Sequence, residues 1–282
     1  MLMDGKTVVI TGGTSGIGEV AAQELAQMGA RIVLVARDKS RAEATLKRLR
    51  ERGPGLAHCV HYADLTRLAE MKRVGKEIAG EEARIDVLIN NAGALFSKRQ
   101  VTQAGLECTF AVNHMAYFVV TQALRERLTA SAPARIVNTA SDAHHGATLD
   151  LGNLQSEKSF SATKAYNRSK LCNILFTREL ARRLRGTGVT ANCLHPGFVA
   201  TRLGDESGGV ISHLVRLAKF FALSPEQGAR TIVHLASSPE VAALTGQYFC
   251  ECRPTKPAPA ALDDRAASLL WERSAALASA KA

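Results

Sequence analysis

The 282-residue sequence predicts an α/β fold in a single domain, with a doubly wound parallel sheet of about seven strands and helices on both faces. Short apolar runs rich in Val and Ile alternate along the chain with longer amphipathic stretches, as buried parallel strands alternate with helices. A glycine-rich turn joins the first apolar run to the first amphipathic stretch, which is typical of a strand that leads into a helix. The length fits one such domain, because α/β folds often reach about 250 residues without dividing.

The predicted strands are short and bounded by Gly, Asp or Asn. They comprise residues 7–11, 31–35, 57–63, 86–90, 135–140, 189–195 and 247–250. The predicted helices lie near residues 17–28, 39–52, 67–80, 105–130, 162–186 and 226–237. Residues 253–282 are expected to form a C-terminal tail and a closing helix near 262–280, since the prolines within 253–260 exclude a helix there.

Residues 202–223 interrupt the alternation after the sixth predicted strand. The segment contains Gly208 and Gly209 and continues with apolar side chains that include Val210, Leu214 and Phe220. We expect this insert to close over the substrate. Its apolar content predicts an apolar, lipid-like substrate.

Composition excludes several classes of protein. Hydrophobic residues make up 46% of the sequence and charged residues 22%, which is ordinary for a soluble globular protein without long disorder. No apolar run reaches about 18 residues, so no transmembrane helix is predicted. The N-terminus does not resemble a signal peptide, and the six cysteines show no zinc-like spacing. The sequence therefore predicts a cytoplasmic protein with reduced thiols and no metal site.

The chain is basic, with 36 Lys and Arg against 26 Asp and Glu, for a net charge of +10. Such a charge favours anionic ligands or surfaces in general. Nucleic acid or a lipid headgroup layer would both fit it, but a solvated basic surface is the preferred interpretation. We therefore expect no nucleic acid partner, and peripheral contact with a membrane stays open.

The turn after the first strand has the sequence TGGTSGIG over residues 11–18. Backbone N–H groups at the N-terminus of the following helix suit a pyrophosphate, and missing Cβ atoms let the ligand approach the backbone. An ordinary turn is the alternative, but the strand before it and the helix after it favour dinucleotide binding. The residues predicted to bind the cofactor here are Gly12, Thr14, Ser15, Gly16, Ile17 and Gly18.

The end of the second strand predicts which dinucleotide is bound. NAD enzymes tend to place a carboxylate about 20 residues past the loop, whereas this chain has Ala36 followed by Arg37. A guanidinium at this place can hold the 2′-phosphate of NADP. Asp38 is a competing signal that could instead cap the next helix. The prediction is NADP, bound through Arg37.

Several motifs, in the same order along essentially the whole chain, resemble the short-chain dehydrogenase/reductase family, whose members have the Rossmann fold. Besides the glycine-rich loop, they are ADLT at 63–66, NNAG at 90–93 and HPG followed by Thr201 at 195–201. Asn113, Ser141, Tyr166 and Lys170 lie where the family has its catalytic residues. The resemblance implies further cofactor contacts from Asp64, Leu65, Asn91, Ala92, Gly93, Tyr166, Lys170, Pro196, Gly197, Val199 and Thr201.

Within this family the chain is most similar to the NADP-dependent retinol dehydrogenases. The segments that carry this likeness are residues 154–158, 175–181, 224–228 and 246–249. The spacing from Ser141 to Tyr166 is 166 − 141 = 25 residues, longer than is usual in the wider family and similar to this branch. The resemblance also implies a homodimer or homotetramer.

Tyr166 and Lys170 are four residues apart in a predicted helix and therefore share one face. A phenol has a pKa near 10, and Lys170 together with a cationic nicotinamide is expected to lower the pKa of Tyr166 toward 7, which requires about 4 kcal/mol. Ser141 follows a strand, where its hydroxyl can hold the reacting oxygen. The resemblance implies that Asn113 supports a water chain to Lys170. His144 and His145 are expected at a pocket wall or on the surface.

These observations predict an NADP(H)-dependent oxidoreductase that interconverts an alcohol and an aldehyde or ketone by hydride transfer, with Tyr166 as general acid/base. Two other classes of function stay open at this point. One is a redox sensor that binds NADP without turnover. The other is a basic protein of the same fold that binds nucleic acid or a membrane surface, marked by an affinity that falls steeply with salt.

Overall fold

The computed structural model describes residues 1–197 and 223–279 of the chain. Its centre is one eight-stranded sheet in the order β3-β2-β1-β4-β5-β6-β7-β8, in which the first seven strands are parallel and β8 is antiparallel to β7. The strands are β1 (Thr7–Thr11), β2 (Arg31–Ala36), β3 (Cys59–Tyr62), β4 (Val87–Asn90), β5 (Ala134–Thr139), β6 (Val189–His195), β7 (Tyr248–Cys250) and β8 (Arg253–Pro254).

Helices cover both faces of this sheet. They are α1 (Gly16–Gln27), α2 (Lys39–Arg52), α3 (Leu68–Glu81), α4 (Cys108–Phe110), α5 (Ala116–Ala130), α6 (Ala162–Arg183), α7 (Pro225–Ser237) and α8 (Asp264–Ser279). A π-helical turn over Ala111–Met115 joins α4 to α5 without a break. Short 3₁₀ turns follow β5 at Asp142–Gly146 and precede α8 at Pro259–Leu262.

The core lies on both sides of the sheet. Val9 of β1 packs in the cluster formed with α3, α5 and α6, whereas its neighbours Val8 and Ile10 pack against α1 and α7 on the other side. Because both faces are covered, the strands are continuously apolar rather than alternating. The chain order reverses between β1 and β4, and in such sheets ligands bind at the carboxyl ends of the strands at this point.

The predicted doubly wound α/β fold is confirmed, and each predicted strand has its counterpart. The structure adds detail to the prediction in three places. The long central helix begins at Cys108 rather than near residue 105 and contains the π-helical turn. The tail, in which the prolines were expected to exclude a helix, contains β8, an edge strand that tolerates Pro254 because its N–H side need not pair. Residues 259–262 form a 3₁₀ turn.

The predicted insert at 202–223 lies outside the described residues except for Leu223. Among the helices that the structure describes, none combines the length and the apolar character needed to cross a bilayer.

Candidate active site

The glycine-rich loop is held against the end of β4 by side chains of its neighbours. The Thr11 hydroxyl accepts hydrogen bonds from the backbone N–H groups of Asn91 and Ala92, at 3.0 and 3.1 Å. The Asn91 amide donates to the Gly12 carbonyl at 3.1 Å and accepts from the Thr139 hydroxyl at 3.2 Å. Asn91 therefore connects β1, β4 and β5 at the carboxyl edge of the sheet, and the loop has a fixed position there.

Two glycines of the loop occupy places where a side chain has no room. Gly12 has φ +67°, and a Cβ there would lie 2.7 Å from the Ala92 Cα. A Cβ on Gly18 would lie 2.3 Å from both the Asn91 amide nitrogen and the Gly12 carbonyl oxygen. The close packing of helix on strand that a dinucleotide loop needs therefore requires glycine at both positions.

Gly18→Ala is expected to destabilise the protein by about 1–3 kcal/mol, because the new methyl group displaces Asn91 and the loop backbone. Cofactor affinity should fall with it. Gly80→Ala in α3 is the matched control, since a Cβ there meets nothing within 4 Å and alanine favours a helix. Urea unfolding and NADPH titration measure both effects. Equal stability of the two variants would contradict this account of the loop.

Thr14, Ser15, Gly16 and Ile17 complete the turn into α1. Ser15 is the N-cap residue of α1, and its side chain makes no capping hydrogen bond within the described chain. Gly16 has φ +56°, and the Ile17 side chain is buried beneath the turn. The first-turn N–H groups of α1 therefore have no side-chain cap from Ser15, and N–H groups at a helix N-terminus suit the pyrophosphate of a dinucleotide.

The residues expected to contact the adenosine half lie beyond β2 and β3. Arg37 follows the last residue of β2 and is exposed. Asp38 caps α2 by accepting from the Arg41 backbone N–H at 3.0 Å, as one of its two interpretations expected. The Asp64 carboxylate accepts from the Thr66 N–H and hydroxyl through one oxygen, at 3.0 and 2.8 Å. The Leu65 side chain, by contrast, is in the core.

The Lys170 side chain is buried, with 3% of its surface exposed. Its ammonium donates to the Thr139 carbonyl at 3.0 Å, at the end of β5. Burial lowers the pKa of Lys170 to about 8. The ammonium therefore carries its charge at neutral pH and loses it in mildly alkaline solution.

Lys170→Met is expected to stabilise the fold by about 2 kcal/mol at pH 7. Burying the charged form costs roughly 3 kcal/mol for a pKa lowered from 10.5 to about 8, and the lost hydrogen bond to Thr139 offsets about 1 kcal/mol. Between pH 8 and 10.5 the unfolded lysine binds a proton that the folded one has released, so wild-type stability rises with pH in this window.

The measurement is denaturant unfolding at pH 7 and pH 10. The advantage of Lys170→Met over the wild type should be present at pH 7 and lost by pH 10. Lys76→Met, at an exposed position of α3, is the control and should show no such pH-dependent difference. A methionine variant less stable than the wild type at pH 7 would mean that burying the Lys170 ammonium does not destabilise the folded protein.

Tyr166 lies one helical turn before Lys170 on α6, and the Lys170 nitrogen is 5.6 Å from the centroid of its ring. Burial raises the pKa of Tyr166 to about 12, while hydrogen bonding by the Ser141 side chain acts in the opposite direction. The chain's own residues thus shift this pKa upward, because desolvation outweighs the hydrogen bond from Ser141. The lowering expected from Lys170 together with a cationic nicotinamide stays a prediction.

Ser141 is the N-cap residue of the 3₁₀ turn that follows β5, and its hydroxyl accepts from the Ala143 N–H at 3.2 Å. This turn holds the hydroxyl beside the Tyr166 phenol. Although 25 residues separate Ser141 from Tyr166 in the sequence, β5 and α6 bring them together at the edge of the sheet where Lys170 contacts Thr139. Three of the four predicted catalytic residues therefore form one cluster.

Asn113 lies in the π-helical turn and is fully buried. Its side chain accepts from the Ala94 N–H at 2.8 Å and donates to the Ala94 carbonyl at 3.0 Å and the Ser169 hydroxyl at 2.9 Å. A Cβ built on Gly93 would lie 3.4 Å from the Asn113 oxygen and 3.7 Å from the Lys170 nitrogen, so both atoms border the same small space. π-Helical turns of this kind are frequent at functional sites.

Comparisons with known proteins agree with this geometry. The family model for short chain dehydrogenases matches residues 6–208. The chain belongs to the short-chain dehydrogenase family. It is 42% identical to human retinol dehydrogenase 14, over 96% of this chain and 85% of the human protein, and it lies in the retinol dehydrogenase-like branch. It is therefore an oxidoreductase that acts on CH–OH groups.

Solved structures are similar to this chain as well. This dehydrogenase superimposes on an uncharacterised protein from Mycobacterium Paratuberculosis with a TM-score of 0.79 and 30% identity, covering 99% of this chain and 95% of the other. The RhlG/NADP active-site complex of Pseudomonas aeruginosa matches with a TM-score of 0.70 and 27% identity, covering 88% and 94% of the two chains.

The remaining predicted residues of this dehydrogenase follow β6. Pro196 and Gly197 continue from the end of that strand, and Gly197 has φ +84°. Val199 and Thr201 lie outside the described residues. Thr139 was not predicted as a site residue, yet its carbonyl accepts from Lys170 and its hydroxyl donates to Asn91. The signal that could have indicated it is its position two residues before Ser141 at a strand end.

His144 also differs from its prediction. It is fully buried rather than on a pocket wall or surface, whereas the His145 side chain is 52% exposed. The structure brings two groups of metal-ligating side chains together among its described residues. They are Asp142, His144 and His145, and Cys59, His61 and Glu82.

Both groups contain partners that compete with a metal ion. In the first, both ring nitrogens of His144 take part in hydrogen bonds with the backbone. In the second, the Arg31 guanidinium pairs with Glu82 and donates to the Cys59 sulfur at 3.3 Å. The absence of a metal in this dehydrogenase stays a prediction.

Proposed function

We propose that this dehydrogenase uses NADP(H) to interconvert an alcohol and a carbonyl on an apolar substrate, with Tyr166 as general acid/base. The observation that carries the proposal is the cluster of Ser141, Tyr166 and Lys170 at the carboxyl end of β5, beside a loop shaped for a pyrophosphate. The bound nicotinamide would supply or accept the hydride.

In the direction of reduction, Tyr166 donates a proton to the substrate oxygen. Its raised pKa keeps the phenol protonated throughout the neutral range, which suits an acid. The Ser141 hydroxyl, held in its turn by the Ala143 N–H, stabilises the charge that develops on the same oxygen. The oxidation direction runs in reverse, with Tyr166 accepting the proton, and it needs the phenolate.

Lys170 makes the phenolate accessible. Its ammonium lies near the Tyr166 ring, and it favours negative charge on the phenol while it remains protonated. Because the pKa of Lys170 is about 8, this support weakens as the pH rises above 8. Asn113 borders the same space as the Lys170 nitrogen, which supports a water path for the proton between them.

The cofactor assignment rests on Arg37 and on the relatives. A guanidinium just beyond β2 can pair with a 2′-phosphate, and the Asp38 carboxylate is engaged as the N-cap of α2. The Pseudomonas aeruginosa RhlG structure is an NADP complex. The name of human retinol dehydrogenase 14 makes retinoids the first apolar substrates to test.

The decisive experiment is an NADPH-oxidation screen over aldehydes, ketones, quinones and retinoids, run beside Tyr166→Phe as a blank. Turnover of an apolar carbonyl compound that the blank lacks is the expected result. Binding of NADPH without turnover of any compound would instead favour the redox sensor. The homodimer or homotetramer and the cytoplasmic location stay predictions.

A further inference from the structure

The buried His144 connects two segments that are far apart in the sequence. Its Nδ1 atom is 2.7 Å from the carbonyl oxygen of Ser141, in the turn after β5. Its Nε2 atom is 3.0 Å from the backbone nitrogen of Ala258, in the C-terminal tail between β8 and α8. One imidazole therefore bridges the serine of the catalytic cluster and the tail, and Ala258 lies 114 residues after His144 in the sequence.

The partners of His144 fix its protonation. The Ala258 N–H can only donate, so Nε2 must be the unprotonated acceptor. Nδ1 then carries the single proton and donates it to the Ser141 carbonyl. A second proton would sit on Nε2, and this N–H would then point at the Ala258 N–H, so that two donors would face each other without an acceptor. The bridge thus exists only with neutral His144.

The surroundings of the ring favour the neutral form. The Tyr248 ring of β7 meets His144 edge-on with centroids 5.1 Å apart, and the His145 ring lies at 4.2 Å. Burial lowers the pKa of His144, and His145 and His195 lower it further, whereas Asp142 and the Ser141 carbonyl act in the opposite direction. His195, from the end of β6, accepts from the Asp142 N–H at 3.2 Å and supports the same turn.

We propose that His144 is a positioning residue that clamps the Ser141 turn to the C-terminal tail and so holds the Ser141 hydroxyl against the Tyr166 phenol. This inference rests on the proposed function, because it assigns the clamp to the oxygen-binding serine. His144 reaches Ser141 through the backbone and Tyr166 only through Ser141. Displacement of a catalytic group by about 1 Å can cost roughly 100-fold in rate.

Two substitutions separate the two halves of the clamp. His144→Ala removes both hydrogen bonds. His144→Asn keeps an amide that can donate to the Ser141 carbonyl, but it is too short to reach Ala258. His145→Asn is the matched control, because it changes the adjacent exposed histidine, whose partner is Asp142.

The first readout is kinetic. His144→Ala should lower kcat for carbonyl reduction by about 10- to 100-fold, and His144→Asn by less, while the KM for NADPH stays within about twofold of wild type in both. The KM should hold because His144 touches the serine turn and not the glycine-rich loop. A parallel rise in the NADPH KM, or an unchanged kcat in His144→Ala, would overturn the positioning role.

The second readout is hydrogen exchange, which needs no turnover. Exchange in the segment around Ala258 should accelerate in both variants, but exchange in the Ser141 turn should accelerate only in His144→Ala. Unchanged exchange in both segments would refute the clamp. If the wild type itself turns over no carbonyl compound, the proposed function fails, and the exchange pattern still decides whether His144 joins the two segments.

Discussion

Tyr166→Phe is expected to lower kcat for carbonyl reduction by roughly 10²–10⁴-fold, the range typical of general acid–base catalysis, while the affinity for NADPH stays near that of the wild type. The substitution removes only the hydroxyl. The phenyl ring keeps its place on α6 beside Lys170, so the cofactor cradle at the end of β1 is not disturbed.

The loss should reside in the chemical step rather than in folding. Kinetic constants on the best substrate of the screen, NADPH titration and urea unfolding together separate these effects. Tyr62→Phe is a suitable control, since the Tyr62 hydroxyl bonds to the exposed Glu43 far from the cluster. A Tyr166→Phe variant that retained more than about a tenth of the wild-type kcat would remove Tyr166 from the role of acid.

Arg37→Ala is expected to reduce the preference for NADPH over NADH by about 10- to 150-fold. A charge-assisted hydrogen bond to the 2′-phosphate contributes roughly 1.5–3 kcal/mol, and each 1.4 kcal/mol is about tenfold. Lys39 and Arg41 are close in the sequence and can also pair with the 2′-phosphate. We therefore expect a loss of preference near the lower end of this range of about 10- to 150-fold. Asp38 does not oppose the phosphate as strongly as its sequence position suggests, because it accepts from the Arg41 N–H as a helix cap.

The double change Ala36→Asp with Arg37→Ile should reverse the preference. It removes the cation and places a carboxylate at the end of β2, where a ribose hydroxyl of NAD would be bound. Ala36 is buried, so the stability of this variant is measured as well. Arg41→Ala is the matched control: it removes a neighbouring cation whose side chain lies 3.5 Å from the Asp38 carboxylate.

The measurement for these variants is kcat/KM for NADPH and NADH on one carbonyl substrate. A wild type that prefers NADH, or an Arg37→Ala ratio equal to that of the wild type, would show that Arg37 does not select the cofactor. If Arg41→Ala instead caused the larger change, the phosphate would be bound one helical turn further along.

The sequence alone was enough for the doubly wound sheet and for the glycine-rich turn that joins β1 to α1. Both depend on local patterns, since apolar runs of strand length and a glycine-rich turn before a helix have few other uses. It also indicated which residues converge. Because the carboxyl ends of parallel strands meet at one edge, the regions after β1, β4, β5 and β6 had to approach each other.

Other features depended on contacts between distant segments. β8 exists because the tail folds back along β7, although its proline argues against a strand. In the π-helical turn, Asn113 bonds to Ala94 and Ser169, and no helical periodicity in the sequence contains these contacts. The upward shift of the Tyr166 pKa follows from desolvation, which only packing determines.

His144 shows the difference most clearly. In the sequence it is one of two adjacent histidines after a serine, and nothing local distinguishes it from His145. The tertiary structure buries one ring and exposes the other, because only His144 meets the Ala258 N–H from the far end of the chain. Local patterns thus determined the fold and the site's location, whereas burial and long-range hydrogen bonds decided the protonation and the support of its residues.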